Sequence, residues 1–372
     1  MPGTFIDVHV LQTLPPSNVN RDDTGAPKTA IYGGIRRARV SSQAWKRATR
    51  AAFEGSVDAS DLGHRTKRLV EMLTPRIQER TEVSEDDAHA RAVAVLEATG
   101  LKLEKPRAKR GASDVEPAIP RSEYLVFLSG HQLDALADLA AQASDGKVDK
   151  KAAVAAADAE HGLDVSLFGR MVADAANLNV DAAVQVAHAI STHAVDNEFD
   201  YYTAVDDNNP DDETGAGMIG TVEFNSSTLY RFATLHVEGL KRNVGDDAAT
   251  AAAAAAFVRG FVCSMPTGKQ NTFANRTLPD AVVVSVRQDQ PVSLVGAFEE
   301  PVPAGQGYVR ESAKRMVEHA ESLDRAYGAS PVHVWIVRGS ESAAAVDSMG
   351  TVVSLDELVD GVRMAAGEAA GS

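Results

Sequence analysis

The sequence predicts an α+β fold: a ferredoxin-like or RNA-recognition-type core broken by two long insertions. Three observations predict it. Periodicities follow one another in the order strand, helix, strand, strand, helix, strand. A mainly helical block at about residues 61–160 separates the first helix from the second strand. A segment at 194–222, acidic and then glycine-rich, separates the second strand from the third.

Taken in order, Phe5–Leu11 alternates, with Ile6, Val8 and Val10 on one side and Asp7 and His9 on the other, so a half-buried strand is expected. Residues 12–34 hold Pro15, Pro16, Gly25, Pro27, Gly33 and Gly34 and read as a long loop without structure of its own. A basic strand then runs into a helix capped by Ser41 or Ser42. At about 100° per residue, Gln43, Lys46, Arg47 and Arg50 share one face of that helix, and Trp45, Ala48 and Ala52 the opposite one.

In the helical block, Ser84 with Asp87 opens a helix that Gly100 closes. Lys102–Arg121 reads as a solvated basic loop. Leu163–Phe168 alternates like a strand, and Val184–Thr192 alternates as the second core strand. Thr228–Val237 is the third, with Tyr230 and Phe232 on one face. A helix at Asp246–Val262, a loop at Ser264–Pro279 and a strand at Ala281–Val286 complete the core. A helix at Val309–Tyr327, a strand at Pro331–Val337 and a last helix opened by the Ser354–Glu357 capping box follow.

Charge and composition bound the function. The chain has 372 residues, 44% hydrophobic and 24% charged, which is a globular composition. The single cysteine, Cys263, excludes an intrachain disulfide and argues against a cysteine-based zinc site. Met1–Val10 lacks a basic leader with a long apolar run, and the longest apolar stretch, around Ala251–Ala256, is too short to span a bilayer; a cytoplasmic protein with no membrane partner is expected. The net charge of −15 argues against bulk attraction to nucleic acid. Its distribution argues otherwise. Residues 1–50 carry eight basic side chains against three acidic, whereas Asp196–Glu213 carries eight acidic and no basic ones.

The basic strand and helix, Gly33 to Arg50, are the strongest chemical feature. A helix N-terminus attracts anions, and Lys46 and Arg50 extend the positive surface at a spacing that suits consecutive phosphates of one strand. A solvated basic helix face fits the same pattern. Gly169-Arg170-Met171 fits a phosphate contact beside a base-pressing thioether, or a core methionine beside a surface arginine. Gly268-Lys269-Gln270-Asn271-Thr272 suggests a phosphate-contacting loop without the P-loop spacing, so nucleotide triphosphate hydrolysis is unsupported. His188 and His193 lie near Asp196, Asp206 and Asp207, a set that reads as a metal site or, more simply, as acids on a solvated loop. No Gly-x-Ser-x-Gly elbow, His-Glu-x-x-His pair or aromatic RNA-recognition signature is present.

Taken together, several blocks resemble the CasC backbone subunits of the CRISPR type I-E Cascade complex. They are Val8-His9-Val10, Asn20 to Asp23, Gly33-Gly34 with Arg36-Arg37, and Ser41-Ser42-Gln43 with Lys46-Arg47. Ser166 to Met171, Ala187 to His193, Thr203 to Asp207, Glu223 to Ser227, and Gly268 to Gln270 with Thr272 continue the series in the same order.

The resemblance implies a hand: an RRM-like palm at 1–60, 180–193 and 223–372, helical fingers at 61–179, and a β-hairpin thumb at 194–222. It implies a non-catalytic subunit that polymerises along a CRISPR guide RNA (crRNA), kinks it at regular intervals and presents it for pairing with target DNA in antiviral defence. The implied partners are crRNA, target DNA through the guide, further copies of the chain in a helical filament, and the small, large and two end-capping Cascade subunits. No cofactor or metal is implied. Matching positions imply crRNA contacts at Asn20, Arg21, Lys28, Ser41, Gln43, Lys46 and Arg50 of the palm. Arg170 and Met171 match a kinking wedge, Thr203 and Met218 the thumb, and Lys269 and Gln270 a further contact. A metal-dependent RNase cutting guide-paired RNA through Asp206 or Asp207 is the alternative, and a general single-strand binder a third reading.

Overall fold

The computed structural model describes residues 3–55, 57–104, 119–143, 147–204, 218–328 and 330–372. The chain divides into two units. The first comprises 1–53, 184–238 and 254–372, and the second 54–183 and 239–253.

The first unit is built on Phe5–Ser17, which pairs antiparallel with Met218–His236 on one side and with Ala281–Arg287 on the other. Ala189–Ser191 and Val184–Val186 pair with the far edge of Met218–His236. The four core positions therefore run fourth, first, third, second across the sheet, the order of a ferredoxin-like fold. His333–Arg338 and Thr351–Val352 extend the sheet at one edge. At the other edge a hairpin of Thr29–Tyr32 and Ile35–Val40 is added.

Several expectations change here. The first strand is buried on both faces: Asp7 and His9 are as inaccessible as Ile6 and Val8. The helix Val309–Tyr327 covers the side that an isolated strand would leave to solvent, through Ala313, Met316, Val317 and Ala320 beside Leu11, Tyr230 and Phe298. The expected loop at 12–34 is structured at both ends, because the strand runs on to Ser17 and Thr29–Tyr32 pairs with the basic strand. Its turn-rich composition marks the connections and not the whole segment. The third strand begins at Met218, ten residues earlier than Thr228, because it pairs first with Glu198–Ala204 and only then enters the sheet. The second strand is broken at Ala187–His188.

On the opposite face of the sheet, the helix Ser42–Ala51 buries Trp45 and Thr49, and Trp45 meets Phe261 of the helix Asp247–Cys263 edge-on at 6.4 Å.

The second unit packs Leu69–Arg80, Glu85–Ala98, Gly130–Gln142 and Lys150–Asp158 around one leucine- and alanine-rich core. Ser84 caps its helix as expected, accepting from Asp87 N–H. Leu163–Phe168 is a short helix and not a strand: six residues are too few to separate the two periods. Residues 105–118 of the basic loop lie outside the described residues. Among the described residues no helix is long and apolar enough to cross a membrane.

Candidate nucleic-acid interface

The site begins at the start of the helix Ser42–Ala51. Ser41 caps it with extended backbone, its Oγ accepting from Ala44 N–H at 3.3 Å. Asn20 Oδ1 accepts from Ser41 N–H at 2.8 Å. The Asn20 carbonyl accepts from Lys28 N–H, and the Lys28 carbonyl accepts from Arg39 N–H, each at 2.9 Å. Lys28 is thus stitched between the loop and the basic strand. No acidic residue lies in the first helical turn, so the positive end of the helix dipole is left uncompensated by its own side chains.

Between Asn20 and Lys28 the chain makes a tight turn. Asp22 Oδ1 accepts from Thr24 N–H at 2.9 Å, from Thr24 Oγ1 at 2.7 Å and from Ala26 N–H at 3.1 Å. These bonds, that of the Thr24 hydroxyl foremost, lower the Asp22 pKa from its ordinary value. The carboxylate is occupied inside the turn, while Arg21 remains exposed. Buried Asn18 anchors the turn from behind, donating to the carbonyls of Gly25 and Glu223 at 2.9 Å.

The turn, the helix face and the loop after Asp247–Cys263 enclose an open groove of about 900 Å³. Asn20, Arg21, Ser41, Gln43, Arg47 and Gly268 are among the residues that line it. Gly268 lies hard against the chain: a Cβ there would stand 2.3 Å from the Val19 carbonyl oxygen, so only glycine permits this closure. Lys46 and Arg50 are half-buried and are not among the lining residues; Arg47 is exposed and is. Partial burial lowers the Lys46 pKa from its ordinary value.

His188 sits beside the helix start, its Nδ1 accepting from Ser42 N–H at 3.3 Å and from Arg39 Nη1 at 3.4 Å. Partial burial, then the charges of Arg39 and Lys28, lower its pKa. A neutral imidazole fits this setting, since both neighbours are donors. His193 is elsewhere engaged: it stacks on Tyr308 at 3.5 Å, and its Nε2 accepts from Thr228 N–H at 3.0 Å. The two histidines therefore do not share a metal. No cluster that could hold a metal ion occurs among the described residues, and Asp206 and Asp207 lie outside them.

Other expected residues take different places. Arg37, within the basic strand, is fully buried and donates to the carbonyls of Ser191, Phe298 and Glu299. It fastens the edge hairpin, and with it Gly33, whose Cβ would meet the Glu299 carbonyl oxygen at 1.8 Å. Arg170 belongs to the second unit, where its side chain is 1% exposed and donates to Leu178 O at 2.5 Å and Asp158 Oδ1 at 3.2 Å. Burial puts its charge out of reach of a solvent-side ligand, while Met171 beside it is 84% exposed. Thr203 is exposed on Glu198–Ala204, opposite Ile219, and Met218 pairs with Ala204. Lys269 and Gln270 open a one-turn helix next to the groove.

Sequence reasoning gives Asn18 no part in the site, and it reads Gly268 as the start of a phosphate-contacting loop but not as the point that closes on Val19; both act through close contacts that spacing does not encode. Arg47 was visible on the basic face, and only the burial of its neighbours singles it out.

Comparison with known proteins agrees with this architecture. The family model described as CT1975-like protein matches residues 6–361. A solved chain of a "CRISPR RNA-guided surveillance complex, pre-nicking" is 34% identical, covering 97% of this chain and 100% of its own, with a TM-score of 0.85. A chain of another "CRISPR RNA-guided surveillance complex" is 29% identical, covering 96% and 99%, with a TM-score of 0.75. No curated protein matches.

Proposed function

The chain belongs to the CT1975-like family, and we propose that it is a non-catalytic, crRNA-binding backbone subunit of a type I-E Cascade surveillance complex. Copies of it polymerise along one guide, hold its phosphates in the palm groove and leave its bases free to pair with target DNA. Small, large and end-capping subunits complete the assembly.

The single observation that carries this reading is the groove, for a chain so like members of RNA-guided complexes. Arg21, Arg47 and the bare helix start line an open channel in a chain of net charge −15. Such a channel contacts backbone and not base edges, which suits a protein whose sequence choice is delegated to base pairing. The net charge of −15 over the whole chain then limits adventitious RNA binding.

Electron microscopy of the protein co-expressed with a guide RNA tests the proposal. Regular helical particles with one protomer per fixed number of nucleotides are expected. A chain that stays monomeric and free of RNA carrying CRISPR repeats refutes it. For the non-catalytic part, RNA complementary to the guide is expected to survive incubation with magnesium; regular cuts lost on changing Asp206 or Asp207 would make the chain an RNase.

A further inference from the structure

On the face of the sheet opposite the basic helix, a cavity of about 150 Å³ opens between the strands and the helix Val309–Tyr327. It shares no lining residue with the groove. His9 and Arg287, both buried, form its floor. Exposed Glu321 and half-buried Asp324 stand at its mouth, and Leu294, Val317 and Met349 add apolar wall.

His9 is 1% exposed, and its two ring nitrogens differ. Nδ1 lies 2.9 Å from the Tyr230 hydroxyl, whose oxygen accepts from Leu294 N–H at 2.8 Å. The hydroxyl proton therefore goes to Nδ1, and burial holds the ring neutral, so Nε2 carries the remaining proton. That N–H is buried without a hydrogen-bond partner among the described residues, on a ring that lines the cavity. A buried donor is ordinarily paired, so this one calls for an oxygen acceptor inside the cavity. Charge sets the other end. Arg287 is answered within the sheet, its Nε 3.2 Å from Asp7 Oδ2. Glu321 faces Arg325 at 3.6 Å along the helix. Burial raises the Asp324 carboxyl above its ordinary value, against the opposing charge of Arg287, so a cation brought to the mouth is favoured.

We propose that this cavity binds a small amino alcohol: an ammonium group and an oxygen acceptor joined by a short carbon chain. The ligand oxygen accepts from His9 Nε2–H, the ammonium meets Asp324 and Glu321, and the carbons pack on the apolar wall. A cavity of this size takes about six non-hydrogen atoms, which limits the chain to about four carbons. Other small ligands fit less well. A carboxylate is repelled by the two acids at the mouth, and an alkyl ammonium leaves the buried His9 donor unpaired. The inference is independent of the RNA-binding reading.

The test titrates the full chain with n-propanolamine by calorimetry near neutral pH, with n-butylamine, its isostere lacking the hydroxyl, as control. Saturable binding of n-propanolamine is expected at a Kd of about 1 mM, about fivefold tighter than n-butylamine. Asp324→Asn, a change at the mouth that leaves the core intact, is expected to weaken both amines about threefold. His9→Phe keeps a ring in place and is expected to abolish the preference for n-propanolamine. Thermal unfolding of each variant without ligand checks that it is folded, and where His9→Phe is not, Asp324→Asn and the two-amine comparison on the wild-type chain decide. No saturable binding of n-propanolamine overturns the proposal. Equal affinity of the wild-type chain for the two amines, or unchanged affinity in Asp324→Asn, overturns it as well.

Discussion

The carboxamide oxygen of Asn20 accepts a hydrogen bond from the backbone N–H of Ser41 at 2.8 Å. That bond ties the turn carrying Arg21 to the residue that caps the basic helix. Two parts of the groove that are 21 positions apart in sequence are thereby set in register.

Asn20→Ala removes this bond and leaves the backbone bond from Lys28 N–H to the Asn20 carbonyl in place. Stability is expected to fall by about 1 kcal/mol, the net worth of one hydrogen bond. RNA affinity is expected to fall about fivefold, since misplaced contacts cost more than their own bond. Isothermal binding at fixed salt, read beside urea unfolding, checks both. Wild-type affinity in the variant would leave the Asn20–Ser41 bond without a part in binding.

Charge removal along the helix ranks its cations. Arg47 is exposed in the groove, whereas Lys46 and Arg50 are half-buried at its flank. Arg47→Gln is expected to weaken binding for every RNA sequence and to flatten the slope of log Kd against log salt by about 0.7, the single-strand value for one phosphate. Lys46→Gln and Arg50→Gln are expected to flatten it less. A salt titration in which Arg47→Gln keeps the wild-type slope would take Arg47 off the path of the strand.

Beneath the same helix, Arg231 is fully buried with its guanidinium 3.7 Å from the centre of the Trp45 ring. It donates to Gln12 Oε1 at 2.6 Å and to the Phe261 carbonyl. Burial pulls its pKa down to about 9. Arg231→Ala opens a cavity and strands two acceptors, so a loss of about 3 kcal/mol is expected in urea unfolding. Arg231→Met, which keeps the volume and removes the desolvated cation, is expected to recover part of it. Equal stability of Arg231→Ala and wild type would contradict this.

Asp7 and His9 lie side by side in the buried strand with opposite titrations. Burial raises the Asp7 carboxyl to about 6 against the opposing pull of Thr234, Val292 and Arg287, and burial lowers His9 to about 3. Asp7 holds its proton more tightly folded than unfolded, so its contribution is full below about pH 4 and is lost as pH rises through 6. His9 holds its proton less tightly folded, so its contribution is full above about pH 6.5 and is lost as pH falls toward 3. Between pH 4 and 6 the two slopes oppose each other. His9→Gln is expected to make stability fall with rising pH in that window, and Asp7→Asn to make it rise, each relative to wild type and on the order of 1 kcal/mol per pH unit. Parallel pH profiles for wild type and both variants would show that the pair does not titrate in this way.

The order of the core strands and helices, the helix Val309–Tyr327 and the caps at Ser41, Ser84 and Ser354 were legible in the amino-acid sequence. Each depends on contacts within a few residues, which spacing records directly. So was the basic character of Arg21 to Arg50, since charge is read without knowing the fold. What needed the tertiary structure was the use of each cation and each strand face. Arg37 and Arg170 turn inward to carbonyls, Asp7 and His9 are sealed by a helix some 300 positions further along the chain, and Gly268 closes on Val19. Burial is decided by whatever segment arrives from far away in the sequence, and no local periodicity carries that information.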